Sequence, residues 1–283
     1  MAIKIAIMNQ KGGVGKSSVV HCLADKLRSS GKTLILDLDQ QNNQKTLLNV
    51  RGEVAKEASA AGILISGYSP LKSKVEVTTN VDVIHSGGRA IESFDRFSKI
   101  GDSDASTRLK KSMEEVEDQY DYILIDSSPT MSLIHQNIIC YADYVIIPCD
   151  MDILSFSATR AILHFIESLK SKIQEAKAEV LGILPVRFDG RRKVDDQILA
   201  DLMSLEENEL LSGARVLSPV RESANMKTAQ ARRKFISDAF PKSKISEDFD
   251  KVAEQIIEEI NKRSIATVNT KAVTNATEVS AWN

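Results

Sequence analysis

Residues Asn9–Val20 read NQKGGVGKSSVV, placing Gly12, Gly13 and Gly15 between two lysines, Lys11 and Lys16, and ahead of Ser17 and Ser18. Glycines let successive backbone N–H groups converge on a phosphate, and the first turn of a following helix adds its dipole. In such a loop Lys16 would reach the β- and γ-phosphates of a nucleotide, and the Ser17 hydroxyl would face Mg²⁺. The stretch fits G-x-x-x-x-G-K-S/T except at its first glycine, where Asn9, Gln10 and Lys11 stand instead. A glycine-rich turn without a ligand is the plain alternative, and for Lys11 alone a solvated loop lysine. One lysine in the loop has a use; the second needs its own.

Acids recur at the ends of two apolar runs. TLILDLDQQNNQ carries Asp37 and Asp39, and YDYILIDSSPT carries Asp126 three residues before Pro129. A lone Asp after a strand is most often a cap or turn residue. Acids at several strand ends, in one chain with a phosphate loop, match the place where open α/β sheets bind ligands.

Short β-branched runs alternate with amphipathic stretches, the pattern of a mostly parallel twisted sheet with helices on both faces, an α/β P-loop architecture. The predicted strands are Ile3–Met8, Thr33–Asp37, Val81–His85, Tyr122–Asp126, Tyr144–Pro148 and Val180–Pro185, nearly all apolar, as strands covered on both faces should be. The predicted helices are Ser17–Ser30, Met131–Ala142, Ser155–Ala176, Val194–Glu209 and Ser246–Lys262. Residues 51–74 read ambiguously as helix or loop. The expected organisation is one phosphate-loop domain over residues 1–262, read as an ATPase domain by the resemblance described next, and a flexible tail over 263–283. A chain of 283 residues with 42% hydrophobic content can bury such a core. Lys+Arg 37 against Asp+Glu 39 leaves a net charge of -2, so a nucleic acid or membrane would have to be met by a local patch. Cys22, Cys140 and Cys149 show no metal or disulfide spacing and suit a reducing cytosol. No apolar run approaches the ~20 residues of a membrane span.

KGGVGKSS resembles the deviant Walker A motif of the ParA/MinD group of P-loop ATPases, most closely short ParA-type partition ATPases without an N-terminal helix-turn-helix. The D-x-D element, with Gln40 where the family usually has proline, and the Asp126 strand resemble two further family motifs, and looser similarity runs to about residue 262. The resemblance implies ATP and Mg²⁺ as cofactors and nucleotide contacts from Lys11, Gly12, Gly13, Val14, Gly15, Lys16, Ser17 and Ser18. It implies an ATP-sandwich homodimer in which Lys11 reaches the partner's phosphates, as an arginine finger does. Ser17, Asp37 and Asp126 are then the metal-shell residues, Asp39 orients or activates the attacking water, and Lys11, Lys16 and Asp39 form the catalytic set. Pro185–Phe188, with Pro185 and Arg187 singled out, is the expected adenine neighbourhood.

Members of this group differ in where the ATP-bound dimer attaches. Between Arg215 and Lys244 eight basic residues face only Glu222 and Asp238, and Arg191, Arg192 and Lys193 add a second cluster. Arg191, Arg192, Arg221, Lys227, Arg232 and Arg233 are therefore the expected contacts to phosphates of non-specific double-stranded DNA. A solvated helix face is the plain alternative. A MinD-like membrane helix fits poorly, because Ile265, Val268, Val273, Val279 and Trp282 form no dense stripe; no membrane partner is expected. The resemblance implies a ParB-like or adaptor partner that stimulates hydrolysis, plasmid, chromosome or other large cargo, and a cytoplasmic, nucleoid-associated protein. A metabolic or cluster-bearing enzyme on the same scaffold lacks support, since the cysteines offer no cluster arrangement.

Overall fold

The computed structural model describes residues 2–50, 57–97, 104–207, 211 and 213–280, without the side chains of 97 and 267–280. The uncertain stretch 51–56 and the predicted helix end at 208–209 lie outside the described residues.

Among the described residues nine strands form one sheet: β1 (Ile3–Ile7), β2 (Thr33–Asp37), β3 (Val75–Thr78), β4 (Val81–Ile84), β5 (Tyr122–Asp126), β6 (Tyr144–Asp150), β7 (Glu179–Phe188), β8 (Arg215–Val216) and β9 (Val220–Arg221). The order is β3-β4-β2-β5-β1-β6-β7-β8, with β9 also pairing with β7. Every pairing is parallel except β3 with β4.

The helices are α1 (Lys16–Leu27), α2 (Asn43–Leu47), α3 (Ala60–Ser66), α4 (Pro70–Ser73), α5 (Phe94–Phe97), α6 (Arg108–Met113), α7 (Leu133–Tyr141), α8 (Ile153–Lys170), α9 (Lys193–Glu207), α10 (Ala224–Ala231), α11 (Ile236–Ala239) and α12 (Lys244–Ser280). Alternation along the strands divides the core into two layers. Ala6, Leu34, Leu36, Ile123, Ile125, Val145 and Ile147 pack on the face covered by α3 and α6–α9. Ile5, Ile7, Ile35, Leu124 and Ile146 pack on the opposite face with α1 and α10–α12. Both faces are buried, so each strand reads as a continuous apolar run.

The sequence reading ends the last helix at Lys262 and starts a flexible tail at 263; the helix continues to Ser280. No glycine or proline interrupts the chain after Pro241, so nothing local stops it. Its buried apolar residues run from Ile245 to Ile260, and Ile265 is exposed. Residues 281–283 lie outside the described residues.

Candidate nucleotide site

β1 delivers the chain to the sheet's carboxyl edge, where residues 9–15 form the loop that opens α1. Gly13 and Gly15 have φ of +73° and +94°, the left-handed region that suits glycine. A Cβ added at Gly12, Gly13 or Gly15 would meet nothing within 4 Å, so backbone conformation rather than crowding demands glycine at 13 and 15. Gly15 caps α1 without a side-chain acceptor, leaving the first-turn N–H groups to another acceptor. Together with Lys16, Ser17, Asp39, Gln41, Asn43, Pro129 and Gln230, the loop lines a cavity of about 450 Å³.

Lys16 is 6% exposed, and its Nζ donates to the carbonyls of Asn9 (3.1 Å) and Lys11 (3.4 Å). Burial lowers its pKa, while Asp126 and Asp39 act to raise it. Asp37 and Asp126 occupy the same register step on the adjacent strands β2 and β5, and both are fully buried. Burial and mutual repulsion push Asp37 well up. Burial pushes Asp126 up to about 6, against hydrogen bonds from Gln44 and Ser17.

Gln44 ties the three motifs together. Its backbone N–H donates to Asp37 Oδ2 (3.1 Å), and its Nε2 donates to Asp126 Oδ2 (2.8 Å) and to the Ser17 carbonyl (2.9 Å). Asn43 Nδ2 donates to Ser17 Oγ (3.3 Å), and the Asp39 N–H to Asp37 Oδ1 (2.9 Å). Sequence reasoning missed Asn43 and Gln44, although they stand in the QQNNQ run directly after the D-x-D.

Among the described residues no group of three or more His, Cys, Asp or Glu could itself hold a metal ion. What is present is a buried Asp126 Oδ1 with no partner, beside the Ser17 hydroxyl. That donor set fits a hard cation held largely by phosphate and water oxygens, as Mg²⁺ is.

Because Asp126 has a higher pKa folded than unfolded, the native chain binds extra protons between about pH 4 and about pH 6, and stability falls as pH rises through that window. Asp126→Asn removes this titration. The difference in thermal midpoint, variant minus wild type without nucleotide, is expected to grow from about pH 4 to about pH 7. A constant difference across a differential-scanning series would reject the assignment.

Lys11 does not line the phosphate cavity. Its Nζ pairs with Asp152, the N-cap of α8, and lies 3.8 Å from Asp150 Oδ2. Arg187 closes the same acidic corner. Its Nε donates to Asp150 Oδ1 (3.1 Å), a second guanidinium nitrogen also pairs with Asp150, and a third donates to the Gly13 carbonyl (3.1 Å).

A smaller cavity of about 160 Å³ adjoins the first, sharing Gly15, Ser18 and Gln230. Its walls are mainly apolar: Val14, Val19, Val186, Val220, Met226 and Phe249. Arg187 contributes, whereas Pro185 is buried within β7 and does not line it. Val220, Met226 and Phe249 had no sequence signal, because single apolar residues on remote segments carry no spacing rule, and Gln230 had none because one amide in a polar helix looks like any other. Gln230 Nε2 donates to Ser18 Oγ (2.8 Å), which links α10 to α1.

The basic residues expected to meet DNA are less free than a local count implies. Arg221 makes a bidentate pair with Asp248 (2.6 and 2.7 Å). Arg191 and Arg192 both pair with Asp189 (2.7 and 3.7 Å), and Arg192 also reaches Glu222 (3.6 Å). Lys227 faces Glu222 at 3.3 Å. Arg232 stacks over Phe240 at 5.5 Å, and Arg233 donates to Asn49 Oδ1 (2.5 Å). Asp189 and Asp248 lie outside the Arg215–Lys244 window, which is why the sequence count omits them. No helix among the described residues is long and apolar enough to cross a membrane.

A family model described as an AAA domain matches residues 2–179, more than half the chain. An uncharacterized protein of Methanocaldococcus jannaschii is 27% identical over 266 residues, covering 91% of this chain and 99% of its own length. The chromosome-partitioning ATPase Soj of Treponema pallidum is 28% identical over 204 residues, covering 70% of this chain and 77% of Soj. In fold the chain is similar to apo McdA of Cyanothece, with a TM-score of 0.79 at 21% identity over 90% of this chain and 100% of McdA. An ATP complex of a McdA variant gives 0.78 at 20% identity over 92% and 96%. The chain therefore belongs to the AAA-domain family whose model it matches and to the ParA/MinD group of P-loop ATPases with the deviant phosphate loop.

Proposed function

We propose that this ATPase works as a partition switch: Mg·ATP closes two copies into a dimer, the dimer binds DNA without sequence preference, and hydrolysis releases it. The observation that carries the reading is the division of labour between the two loop lysines. Lys16 lines the phosphate cavity with Asp39 and feels the charge of Asp126, whereas Lys11 stands outside it against Asp150 and Asp152. A cation at the rim is suited to another copy's triphosphate, where it would stabilise charge that its own subunit leaves exposed.

When bound, Mg²⁺ would neutralise charge on the phosphates; Ser17 and, through water, Asp37 and Asp126 would hold it. Lys16 and the loop N–H groups bind the phosphates, and Asp39, at the cavity wall, orients the attacking water. The adenine would enter the apolar cavity between Val14, Val186, Val220, Met226 and Phe249. Basal turnover is slow in this scheme, and a ParB-like or adaptor protein accelerates it and brings the plasmid, chromosome or other cargo. The protein would then act in the cytoplasm and on the nucleoid in its ATP state.

The test pairs two measurements under a non-hydrolysable ATP analogue with Mg²⁺. Sedimentation is expected to show a dimer for wild type and a monomer for Lys11→Ala, with nucleotide affinity changed little. Random duplex DNA is expected to bind only with the analogue, with log affinity falling steeply and linearly in log salt. Charge reversal belongs at Arg232 and Arg233, since Arg221 is committed to Asp248 and its loss would strand a buried acid. A dimeric Lys11→Ala, or DNA binding indifferent to nucleotide, would reject the reading.

A further inference from the structure

The turn that joins Asp126 to α7 is held by two side chains outside the nucleotide-binding motifs. Ser127 Oγ donates to the Ile7 carbonyl at 2.9 Å, tying the turn to the last residue of β1. From α7, His135 Nε2 lies 2.9 Å from the Ser128 carbonyl oxygen. His135 is fully buried, and burial pushes its pKa down to about 4, so the ring is neutral near pH 7. A carbonyl can only accept; the Nε2 nitrogen therefore carries the proton.

The identity of the bonded carbonyl matters. Ser128 precedes Pro129, so the peptide group between them has no N–H. Its carbonyl oxygen is the single hydrogen-bonding handle by which that peptide plane can be oriented. Pro129 lines the phosphate cavity together with Asp39, Lys16 and Ser17. Ser128 lines a separate cleft of about 290 Å³ with Leu38, Gln40 and Thr130. The peptide that His135 grips thus joins a residue lining the phosphate cavity to one lining the second cleft.

We infer that His135 is a positioning residue for hydrolysis: by donating from Nε2 to the Ser128 carbonyl, it sets the plane of the Ser128–Pro129 peptide and with it the part of the phosphate-cavity wall that Pro129 forms. It does not line the phosphate cavity, and it acts only through this turn. The inference rests on the proposed ATPase reaction for its kinetic consequence and on the hydrogen bond alone for its structural one.

Two measurements separate these. In wild-type protein labelled with ¹⁵N-histidine, without nucleotide, His135 is expected to give a neutral, Nε2-protonated ring at pH 7 with a slowly exchanging N–H. An Nδ1-protonated ring, or a rapidly exchanging proton, overturns the inference whether or not the protein hydrolyses ATP. In the kinetic arm, His135→Leu is expected to lower kcat about tenfold or more at saturating Mg²⁺, with KM for ATP within about twofold, since the loop and Lys16 are untouched. His135→Gln, whose amide can donate in the same direction, is expected to recover most of kcat. Unchanged kcat in His135→Leu, a change confined to KM, or equal losses in both variants at matched thermal midpoints would each overturn it. If His135→Leu fails to fold, the labelled wild-type spectrum and His135→Gln still decide. Absence of ATP turnover in wild type with the expected tautomer intact would instead reject the proposed function.

Discussion

Lys16→Ala is expected to remove ATP binding, with affinity weakened about a hundredfold or more in a nucleotide titration and phosphate release at background. Lys16 is buried, bonded only to loop carbonyls, and in the field of Asp126 and Asp39. Asp126 shares its register step with the equally buried Asp37, and the Lys16 charge favours its ionised form. Without its ammonium group, a triphosphate would approach a cavity bordered by carboxylates and held by backbone dipoles alone. A hydrogen bond to a charged group contributes roughly 1.5–3 kcal/mol, and several converge here. The carboxylates would be driven toward protonation in compensation, so the variant should remain folded while losing its ligand. Affinity within about threefold of wild type would show that the phosphates sit elsewhere.

Asp39→Ala is expected to do the opposite: ATP and dimer retained, hydrolysis lost by about a hundredfold or more, the usual scale for removing a group that handles the attacking water's proton or orientation. The loop around it is anchored independently of its side chain. The Asp39 N–H donates to Asp37 Oδ1, and the following turn closes through Asn42 N–H to the Asp39 carbonyl (2.9 Å). The bond lost is the one from the Gln41 N–H to Asp39 Oδ1 (2.9 Å), at the mouth of the cavity. Quenched-flow phosphate release together with size exclusion in ATP would measure both halves. A variant that still hydrolyses, or one that falls to monomer in ATP, would remove Asp39 from its assigned role.

The strands that carry these residues were legible because both of their faces are buried. Thr33–Asp37 and Tyr122–Asp126 match the sequence reading residue for residue, and β1 and β4 differ from it by one residue at their ends. Partly exposed or very short strands escaped it. β3 alternates in burial only weakly at an antiparallel edge, and β8 and β9 have two residues each, below what periodicity can register. At the site, the glycine loop and the strand-end acids declared themselves by type and spacing. Gln44, which bridges Asp37, Asp126 and Ser17, did not, because an amide in a polar turn looks like any other. The charge count of the basic face is incomplete for a related reason: Asp248 and Asp189, which pair with Arg221 and Arg191, stand outside the Arg215–Lys244 window. Local charge excess is a property of the chain; local field is a property of the fold.

Arg187 has a φ of +56°, a conformation that costs a side-chain-bearing residue about 1–2 kcal/mol. It sits where the register between β7 and β9 slips, Val186 facing Val220 but Phe188 facing Arg221. An inserted residue of this kind exchanges the two sides of everything that follows it. The slip falls between Val186, which lines the smaller cavity, and Phe188, which lines a different cleft with Asp189, Arg191 and Arg192. Removing that one residue would shift the strand by one position and turn the residues after it to the other face, so the smaller cavity and the Asp189–Arg192 turn can be altered separately only by changes that leave the kink in place.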